Sequence, residues 1–354
     1  MNCRGCEGST LETVYEMAPM PIAGDFKDTR EAALAAPTHP LAWRRCTACG
    51  LVNVEPSLEP DWSHYSYRAS EVPALRRHHE AFAKLLAEKV RPRLHIEIGG
   101  NDGVLAQHVP WEVINIDPSD AFVGPGLNEP FTLGLAQTLP QVDLVTSSNS
   151  LAHFAGIADA LRGVRHVLKP DGVFIVEVHD LDATLATGQW DTIYHEHAVE
   201  WDSDSLRVVG ARHGLDLVHL KRLPLHGGLL RATFRPGVPR RLPVGRSRVF
   251  TPLQRAYDEA QAPPLPNGSV AYGAAARATV YIHRVRPRIG AVIDGSPRRA
   301  GRFMPGTGHP VISPDEFDRA DPPAALITAV GHEQDIRARH PRYDRWVTWQ
   351  TSSS

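Results

Sequence analysis

Four cysteines, arranged as two C-x-x-C pairs, most constrain how the N-terminal part of this chain can fold. Cys3 and Cys6 form the first pair and Cys46 and Cys49 form the second, so that no cysteine is left over. In a reducing compartment such pairs favour Zn²⁺ over disulfides, because four thiolates close a tetrahedral shell around the ion. We therefore predict a zinc-binding domain over residues 1–55 with a structural ion; the alternative is free or redox-active thiols.

Length and charge bound the rest of the chain. A chain of 354 residues exceeds one compact core, so two or three domains are expected. A net charge of −2 lacks the basic excess that is usual in nucleic-acid-binding proteins. Apolar runs are too short for a membrane span, and the start of the chain, MNCRGCEGST, lacks the apolar core of a signal peptide. We expect a cytoplasmic protein that binds neither nucleic acid nor membranes and is a monomer or a weak dimer.

Strand and helix patterns alternate through the middle of the chain. In chain order they are an amphipathic helix at 71–90, a strand, glycine turn and helix at 94–109, strands at 112–118 and 142–146, a helix at 157–168 and a strand at 173–180. This alternation is typical of an α/β fold with a parallel sheet, in which ligands bind beyond the carboxyl ends of the strands. We assign residues 56–90 to a connector and helix, and residues 91–240 to a Rossmann-like domain.

The C-terminal third repeats the α/β pattern on a smaller scale. Residues 214–235 predict two antiparallel strands that close the first sheet, and a linker follows at 241–267. A smaller Rossmann-like α/β domain is predicted over 268–345, and the tail at 349–354 is predicted to be disordered.

The stretch EIGGNDG (97–103) joins a strand to the next element through glycines, with Glu97 at the strand end. Such turns bring backbone N–H groups close to a ligand, and Asp117 ends the next strand, where it could bind a ribose. NAD and S-adenosylmethionine both fit this arrangement. The acidic turn and the missing G-x-G-x-x-G spacing favour the cationic S-adenosylmethionine, with Glu97, Gly99, Asn101 and Asp117 as binding residues. A merely tight turn is the alternative.

The stretch DTIYHEHAVEW (191–201) places a phenol, two imidazoles and a carboxylate within four positions: Tyr194, His195, Glu196 and His197. A histidine pKa near working pH suits proton transfer. Metal binding is a second interpretation, although the H-x-H spacing lacks a third nearby ligand. A structural polar cluster is the third.

Taken together, these motifs resemble a known family: the S-adenosylmethionine-dependent C-methyltransferases of deoxysugar biosynthesis, which act on nucleotide-linked keto-sugars. The matching pieces are the two C-x-x-C pairs, EIGGNDG (97–103), NSLAH (149–153), LKPDGVFIVEV (168–178), DTIYHEH (191–197), LPLHGG (223–228), VAYGAAAR (270–277) and GRFMPGT (301–307). The chain departs from the family at His179, where proline is usual, and at Arg277-Ala278, where Lys-Gly is more usual.

The resemblance implies roles for individual residues. His197 would be the base that removes a proton next to a ketone, with Tyr194, Glu196 and His153 as further catalytic residues and Asn149 between cofactor and substrate. The implied substrate-binding residues are Tyr65, Tyr67, His195 and His226. Independently of the resemblance, Arg302, in a loop with Arg298 and Arg299, could bind a diphosphate, and an exposed basic loop is the alternative. His195 fits a structural hydrogen-bonding role as well.

The predicted function is therefore C-methylation, at C3, of a nucleotide-diphosphate 4-keto-deoxysugar, with dTDP as the expected nucleotide, in antibiotic or other natural-product biosynthesis. One alternative is C-, O- or N-methylation of another small metabolite. The other is a non-enzymatic, zinc-containing scaffold that binds nucleotides.

Overall fold

The computed structural model describes residues 2–58, 61–65, 67–245 and 247–349. Apart from Trp349, the tail predicted to be disordered lies outside these residues. The chain forms two compact units, each assembled from several segments. Unit 1 contains residues 2–14, 43–183 and 197–248, and unit 2 contains residues 15–42, 184–196 and the chain from 249 onward. The domain boundaries expected from the sequence stay a prediction.

The strands and helices have the following bounds. The strands are β1 (Leu11–Pro21), β2 (Thr38–Cys46), β3 (Val52–Glu55), β4 (His95–Ile98), β5 (Val113–Ile116), β6 (Gly126–Leu127), β7 (Val142–Ser148), β8 (Leu168–His179), β9 (Val199–Glu200), β10 (Leu215–Leu223), β11 (Leu229–Pro236), β12 (Val270–Tyr272), β13 (Val292–Ile293), β14 (Val311–Ile312), β15 (Ala325–Ile327) and β16 (Trp346–Thr348). The α-helices are α1 (Arg30–Leu34), α2 (Pro73–Lys89), α3 (Leu133–Ala136), α4 (Ile157–Val167), α5 (Leu181–Thr187), α6 (Ser203–Arg212), α7 (Thr251–Asp258), α8 (Ala276–Val285), α9 (Pro314–Ala320) and α10 (Glu333–Arg339).

Unit 1 is built on a seven-stranded sheet with the order β10-β11-β8-β7-β4-β5-β6. Its strands from β4 to β8 run parallel, whereas β10 and β11 are antiparallel, as the sequence predicts. Strand β4 is buried along its whole length, as expected for a strand covered on both faces. Helix α4 packs Ile157, Leu161 and Val164, one helical stripe, into the main core. The predicted α/β fold with a parallel sheet is confirmed.

Two predicted elements of unit 1 differ from the structure. After the glycine turn the chain does not form the predicted α-helix; it continues through turns to a 3₁₀ helix at Ala106–His108. Positive φ angles at Asn101 and Gly103 and the proline at position 110 explain this, because none of them suits a helix interior. The predicted linker at 241–267 contains α7, which starts with a proline at its first turn and buries Leu253 and Tyr257.

Unit 2 carries a five-stranded, wholly parallel sheet with the order β14-β13-β12-β15-β16. Buried Tyr272, Ile293, Phe317 and Ile327 form its core. The expectation of a second, smaller Rossmann-like α/β fold is confirmed.

A third sheet has the order β1-β2-β3-β9, and within it β3 and β9 are antiparallel neighbours in unit 1. None of the helices in the described ranges has both the length and the apolar character needed to cross a membrane.

Candidate active site and metal centre

The four cysteines come together in unit 1 and lie within 4.8 Å of one another, sulfur to sulfur. The Cys3 and Cys49 sulfurs are 3.5 Å apart and the Cys6 and Cys46 sulfurs 3.6 Å apart, too far for a disulfide bond. With Zn–S bonds of about 2.3 Å, a tetrahedral ion separates its sulfur ligands by about 3.8 Å. The four sulfurs therefore fit a closed Cys₄ zinc site, with no position left for a substrate.

Side-chain and backbone hydrogen bonds connect this metal site to the segment that contains His197. Asn53 accepts from the Arg4 amide (2.9 Å) and donates its side-chain N–H toward the Cys3 sulfur (3.6 Å). On the same strand, Val54 donates its N–H to the carbonyl of Ala198, the residue after His197 (3.0 Å).

The glycine turn after β4 is shaped by close packing. Gly99 has a φ of +69°, and a Cβ placed there would lie 2.2 Å from the Cβ of Ser150. The Gly99 N–H donates to the Ile116 carbonyl (2.8 Å), and the Ser150 hydroxyl donates to the Ile98 carbonyl (2.9 Å). The turn and the loop after β7 therefore lie together at the carboxyl edge of the sheet, where ligands of such sheets bind.

Three buried side-chain oxygens at this edge, on Glu97, Asn115 and Asn149, have no hydrogen-bond partner within the described ranges. Burial, with the nearby charges of Asp117 and Asp102, raises the pKa of Glu97 to about 8. Asn149 has a φ of +56°, a left-handed conformation that costs a non-glycine residue energy. Oxygen acceptors left without donors suit the ammonium and sulfonium groups of S-adenosylmethionine, so these residues fit that cofactor.

Asp117 and Asn101 are already engaged with the protein. Asp117 accepts from the amide of Asn101 and from the amide of Ser119, both at 2.8 Å. Asn101 accepts from the Ala69 amide (3.0 Å) and donates to the Tyr67 carbonyl (3.3 Å). The connector that contains Tyr67 is thus fastened directly to the cofactor turn. The Tyr65 and Tyr67 rings are 6.4 Å apart.

Four imidazoles form a chain of ring contacts in unit 1. The His197 ring lies 4.9 Å from that of His153 and 5.2 Å from that of His179, both edge to face. The His179 ring stacks on that of His226 at 6.1 Å and 22°. His197 is buried, with 3% of its surface exposed, whereas the other three are half-buried. The structure thus brings together three predicted site residues and adds His179.

His197 forms a buried pair with Glu200, whose Oε1 lies 3.2 Å from its Nδ1. Burial lowers the pKa of His197 to about 3 and raises the pKa of Glu200 to about 8. Both groups therefore favour their neutral forms in the absence of ligands. Two tautomers of His197 are therefore possible. When Glu200 is protonated, it donates to Nδ1, and the imidazole hydrogen is on Nε2. When Glu200 is ionised, it accepts from Nδ1–H, and the lone pair of Nε2 is available to accept a proton.

The neighbouring residues of the same motif belong to unit 2. Glu196 accepts from the Gly24 amide (2.8 Å), and burial raises its pKa to about 7. His195 is buried, with its Nε2 3.2 Å from the Pro40 carbonyl and its ring 5.9 Å from that of His39. Tyr194 is half-buried. Buried contacts thus surround His195, while Tyr194 keeps accessible surface.

Two arginines of unit 2 form ion pairs: Arg302, a predicted substrate-binding residue, and Arg277, at a position where the chain departs from the family. Arg302 donates to exposed Asp28 (2.9 Å). Arg277 binds fully buried Asp191, at the start of DTIYHEH, with two hydrogen bonds of 2.7 and 3.0 Å. The arginine at this unusual position therefore anchors the motif.

Sequence reasoning missed a buried ionic network on the α2 face of the sheet. Glu177 is fully buried and contacts His78 (2.8 Å) and Arg231 (2.6 Å). Burial raises the pKa of Glu177, but the bond from His78 and the Arg231 charge outweigh this and lower it to about 2. A charged residue inside the apolar run VFIVEV was the available signal, because buried charges need partners.

Comparison with known proteins gives consistent matches along the chain. A putative zinc binding domain matches residues 3–62, a methyltransferase domain residues 66–220 and a C-methyltransferase C-terminal domain residues 267–349. The C-methyltransferase NovU of Streptomyces niveus is 26% identical over 381 residues, covering 94% of this chain and 90% of NovU.

Two solved structures match part of the chain at lower similarity. The 1,6-didemethyltoxoflavin-N1-methyltransferase of Burkholderia thailandensis, bound to S-adenosylhomocysteine, has a TM-score of 0.35 at 18% identity, over 46% of this chain and 78% of its own. The CcbJ methyltransferase of Streptomyces caelestis has a TM-score of 0.39 at 14% identity, over 51% of this chain and 100% of its own.

The sheet, the cofactor edge and the matched methyltransferase domain define an S-adenosylmethionine-dependent methyltransferase. Within that class, the chain is a C-methyltransferase, and its segments match in order a putative zinc binding domain, a methyltransferase domain and a C-methyltransferase C-terminal domain.

Proposed function

We propose that this enzyme methylates C3 of a dTDP-linked 4-keto-deoxysugar, next to the ketone, in the biosynthesis of an antibiotic or related natural product. The observation that carries the proposal is the buried His197–Glu200 pair at 3.2 Å. Transfer to oxygen or nitrogen needs only a lone pair on the substrate. Transfer to carbon first needs a base that removes a proton from carbon, and this pair can supply one.

In the proposed reaction, Nε2 of His197 accepts the proton on C3 of the sugar. The C–H bond breaks, and its electrons form the enolate with the negative charge on the ketone oxygen. Glu200 accepts a hydrogen bond from Nδ1–H throughout, which stabilises the imidazolium that forms. The base is thus active when Glu200 is ionised and His197 is neutral.

An enolate oxygen needs a hydrogen-bond donor in a water-poor site. We assign this task to Tyr194 or to His153, whose ring lies 4.9 Å from that of His197. Glu196, with its pKa raised to about 7 by burial, would hydrogen-bond the sugar hydroxyls.

We assign S-adenosylmethionine to Glu97, Gly99 and Asn149, with Asn101 and Asp117 shaping the turn around it. When bound, the cofactor supplies an electrophilic methyl group on a sulfonium. The oxygens of Glu97 and Asn149 that lack partners would bind its cationic groups. A cationic ligand would also favour the ionised form of Glu97.

The remaining assignments follow the expectations from the sequence. Tyr65 and Tyr67 would cover the substrate, and His226, His195 and Arg302 would contact it. We further propose a cytoplasmic enzyme that is a monomer or a weak dimer and that follows the five-part domain division expected from the sequence.

A direct test is to incubate the protein with S-adenosylmethionine and a panel of nucleotide-linked keto-sugars and to follow product mass. A gain of one methylene unit is expected for dTDP-linked 4-keto-deoxysugars. Wild-type enzyme in D₂O should also exchange the hydrogen on C3. Methyl transfer to oxygen or nitrogen, without exchange at carbon, would contradict the proposal.

The role of His197 is tested by His197→Asn. We expect turnover and hydrogen exchange to be lost, while the Kd for S-adenosylmethionine stays within about threefold, because the cofactor residues lie on other loops. An equal loss of cofactor affinity would show that His197 supports the fold or the cofactor instead.

A further inference from the structure

We propose that His179 and His226 form a proton relay that returns the proton from His197 to solvent. This inference rests on the proposed function, since it takes His197 as the base. Neither the family matches nor the resemblance gives His179 a role, and proline is usual at its position.

The base needs such a path because it is enclosed. His197 exposes 3% of its surface, and its Nδ1 faces Glu200, which itself exposes 4%. A proton accepted at Nε2 therefore cannot pass directly into bulk water, nor leave through Glu200. Yet each turnover must release it before the imidazole can act as a base again.

The contacts of the His179 ring supply the next two steps. Its ring lies 5.2 Å from His197, edge to face, and 6.1 Å from His226, nearly parallel. Both His179 and His226 are half-buried, so the three rings lead from the enclosed base toward solvent. Imidazole suits each step, since it can accept a proton on one nitrogen and release one from the other.

The backbone holds these rings in place. His179 ends β8 directly opposite Leu229, and the amide of Asp180 donates to the carbonyl of Gly228 (3.1 Å). His226 has a φ of +53°, a left-handed conformation that is unfavourable for a residue with a side chain. Strain of this kind is characteristic of functional positions.

The carboxylates beside the relay are paired with basic side chains. Glu177, two residues before His179, pairs with His78 and Arg231, and Asp180, directly after it, pairs with Arg222 at 2.7 Å. At the start of the relay, His197 contacts the imidazole of His153 and the carboxyl of Glu200. The proton passes from His197 Nε2 to His179, then through a bridging water molecule to His226 and on to bulk water. The bridge is needed because ring centres 6.1 Å apart leave the nearest nitrogens of His179 and His226 beyond hydrogen-bonding distance. Each ring regains its neutral state, so no other reactant is needed.

The test compares His179→Gln, His179→Ala and His226→Gln with His219→Gln, an exposed histidine on β10 that serves as the matched control. The dTDP-linked 4-keto-deoxysugar methylated by wild-type enzyme is the substrate. We expect the relay variants to lower kcat about tenfold or more with cofactor Kd little changed, and the His179 variants to leave KM little changed as well. Added imidazole should restore turnover in His179→Ala and leave the control unaffected.

The melting temperature of each variant is measured first, so that a loss of kcat caused by unfolding is recognised. A His179 variant that folds and keeps kcat within twofold of wild type would overturn the relay. So would a loss of kcat in His179→Ala that imidazole does not rescue, if His226→Gln stays fully active. Failure of wild-type enzyme to exchange the C3 hydrogen would instead contradict the proposed function. The two failures are therefore distinguishable.

Discussion

In the candidate site, burial affects the pKa values of His197 and Glu200 more than contact with an opposite charge does. Burial alone lowers the pKa of His197 and raises that of Glu200, although the two are in hydrogen-bonding contact. Because of this contact, the protonation state of Glu200 sets which nitrogen of His197 carries the hydrogen and which one has a lone pair that can accept a proton. Protonation of Glu200 thus changes whether the imidazole can accept a proton from carbon.

A pH profile of kcat/KM tests this control. Because the pKa of Glu200 is raised to about 8, its carboxyl is protonated at pH 6 and the base is inactive. We expect the rate to rise with pH and to level off above about 8. Glu200→Gln should abolish that rise and reduce the rate about a hundredfold.

Glu112→Gln is the matched control, because Glu112 is exposed in the same unit. It should reproduce the wild-type profile. If the rise near pH 8 persists in Glu200→Gln, another group controls the base.

The family resemblance predicts His197 and His153 as site residues, and the structure brings their rings to 4.9 Å. The sequence assigns no role to His179, because the rings beside it belong to His197 and His226, which are far from it in the chain. Glu200 stands in the quoted motif, but its burial depends on tertiary packing that includes the pairing of β9 with β3. Roles that depend on burial by distant segments leave no local sequence signal.

At the scale of elements, strands were more predictable than the segments after them. The strands β4, β5, β7 and β8 follow from apolar runs. Besides the positive φ angles and the proline at position 110, tertiary bonds hold the turn after EIGGNDG in a non-helical form: Asn101 accepts from the Ala69 amide, and Asp102 accepts from the Ser70 amide at 3.1 Å. Such bonds to the connector cannot be read from local propensity.

The glycine turn gives a prediction at this scale. Gly99→Ala combines a positive φ with a Cβ 2.2 Å from that of Ser150, whereas Gly124→Ala has a positive φ with no heavy atom within 4 Å. The second variant should lose only about 1–2 kcal/mol of stability and keep its cofactor affinity. The first should lose more stability and weaken S-adenosylmethionine binding at least tenfold.

Calorimetric titration and thermal unfolding measure the two effects. Equal cofactor affinity in both variants would mean that the close approach of the turn to the loop after β7 does not shape the cofactor site.

At the scale of the whole molecule, the zinc-binding segment contacts the segment that carries the proposed base, but none of its residues takes part in the proposed reaction. Its strand β3 pairs with β9, which carries Glu200, and Val54 donates to the carbonyl of Ala198. The cofactor turn depends instead on β4 and its neighbours β5 and β7. The metal site and the base are thus coupled more closely than the metal site and the cofactor turn.

Zinc removal should therefore damage deprotonation before it damages cofactor binding. Structural zinc contributes about 10 kcal/mol or more in zinc-finger peptides, comparable to the stability of a whole domain at about 5–15 kcal/mol. Loss of the ion should release β3 and with it the position of His197 and Glu200.

We expect chelation, or Cys46→Ser, to lower the melting temperature and to abolish C3 hydrogen exchange, with a smaller effect on S-adenosylmethionine affinity. Ala48→Ser, within the same C-T-A-C turn, should retain both activities. Full hydrogen exchange by metal-free protein, with zinc content measured on the same sample, would disprove the coupling between the metal site and the base.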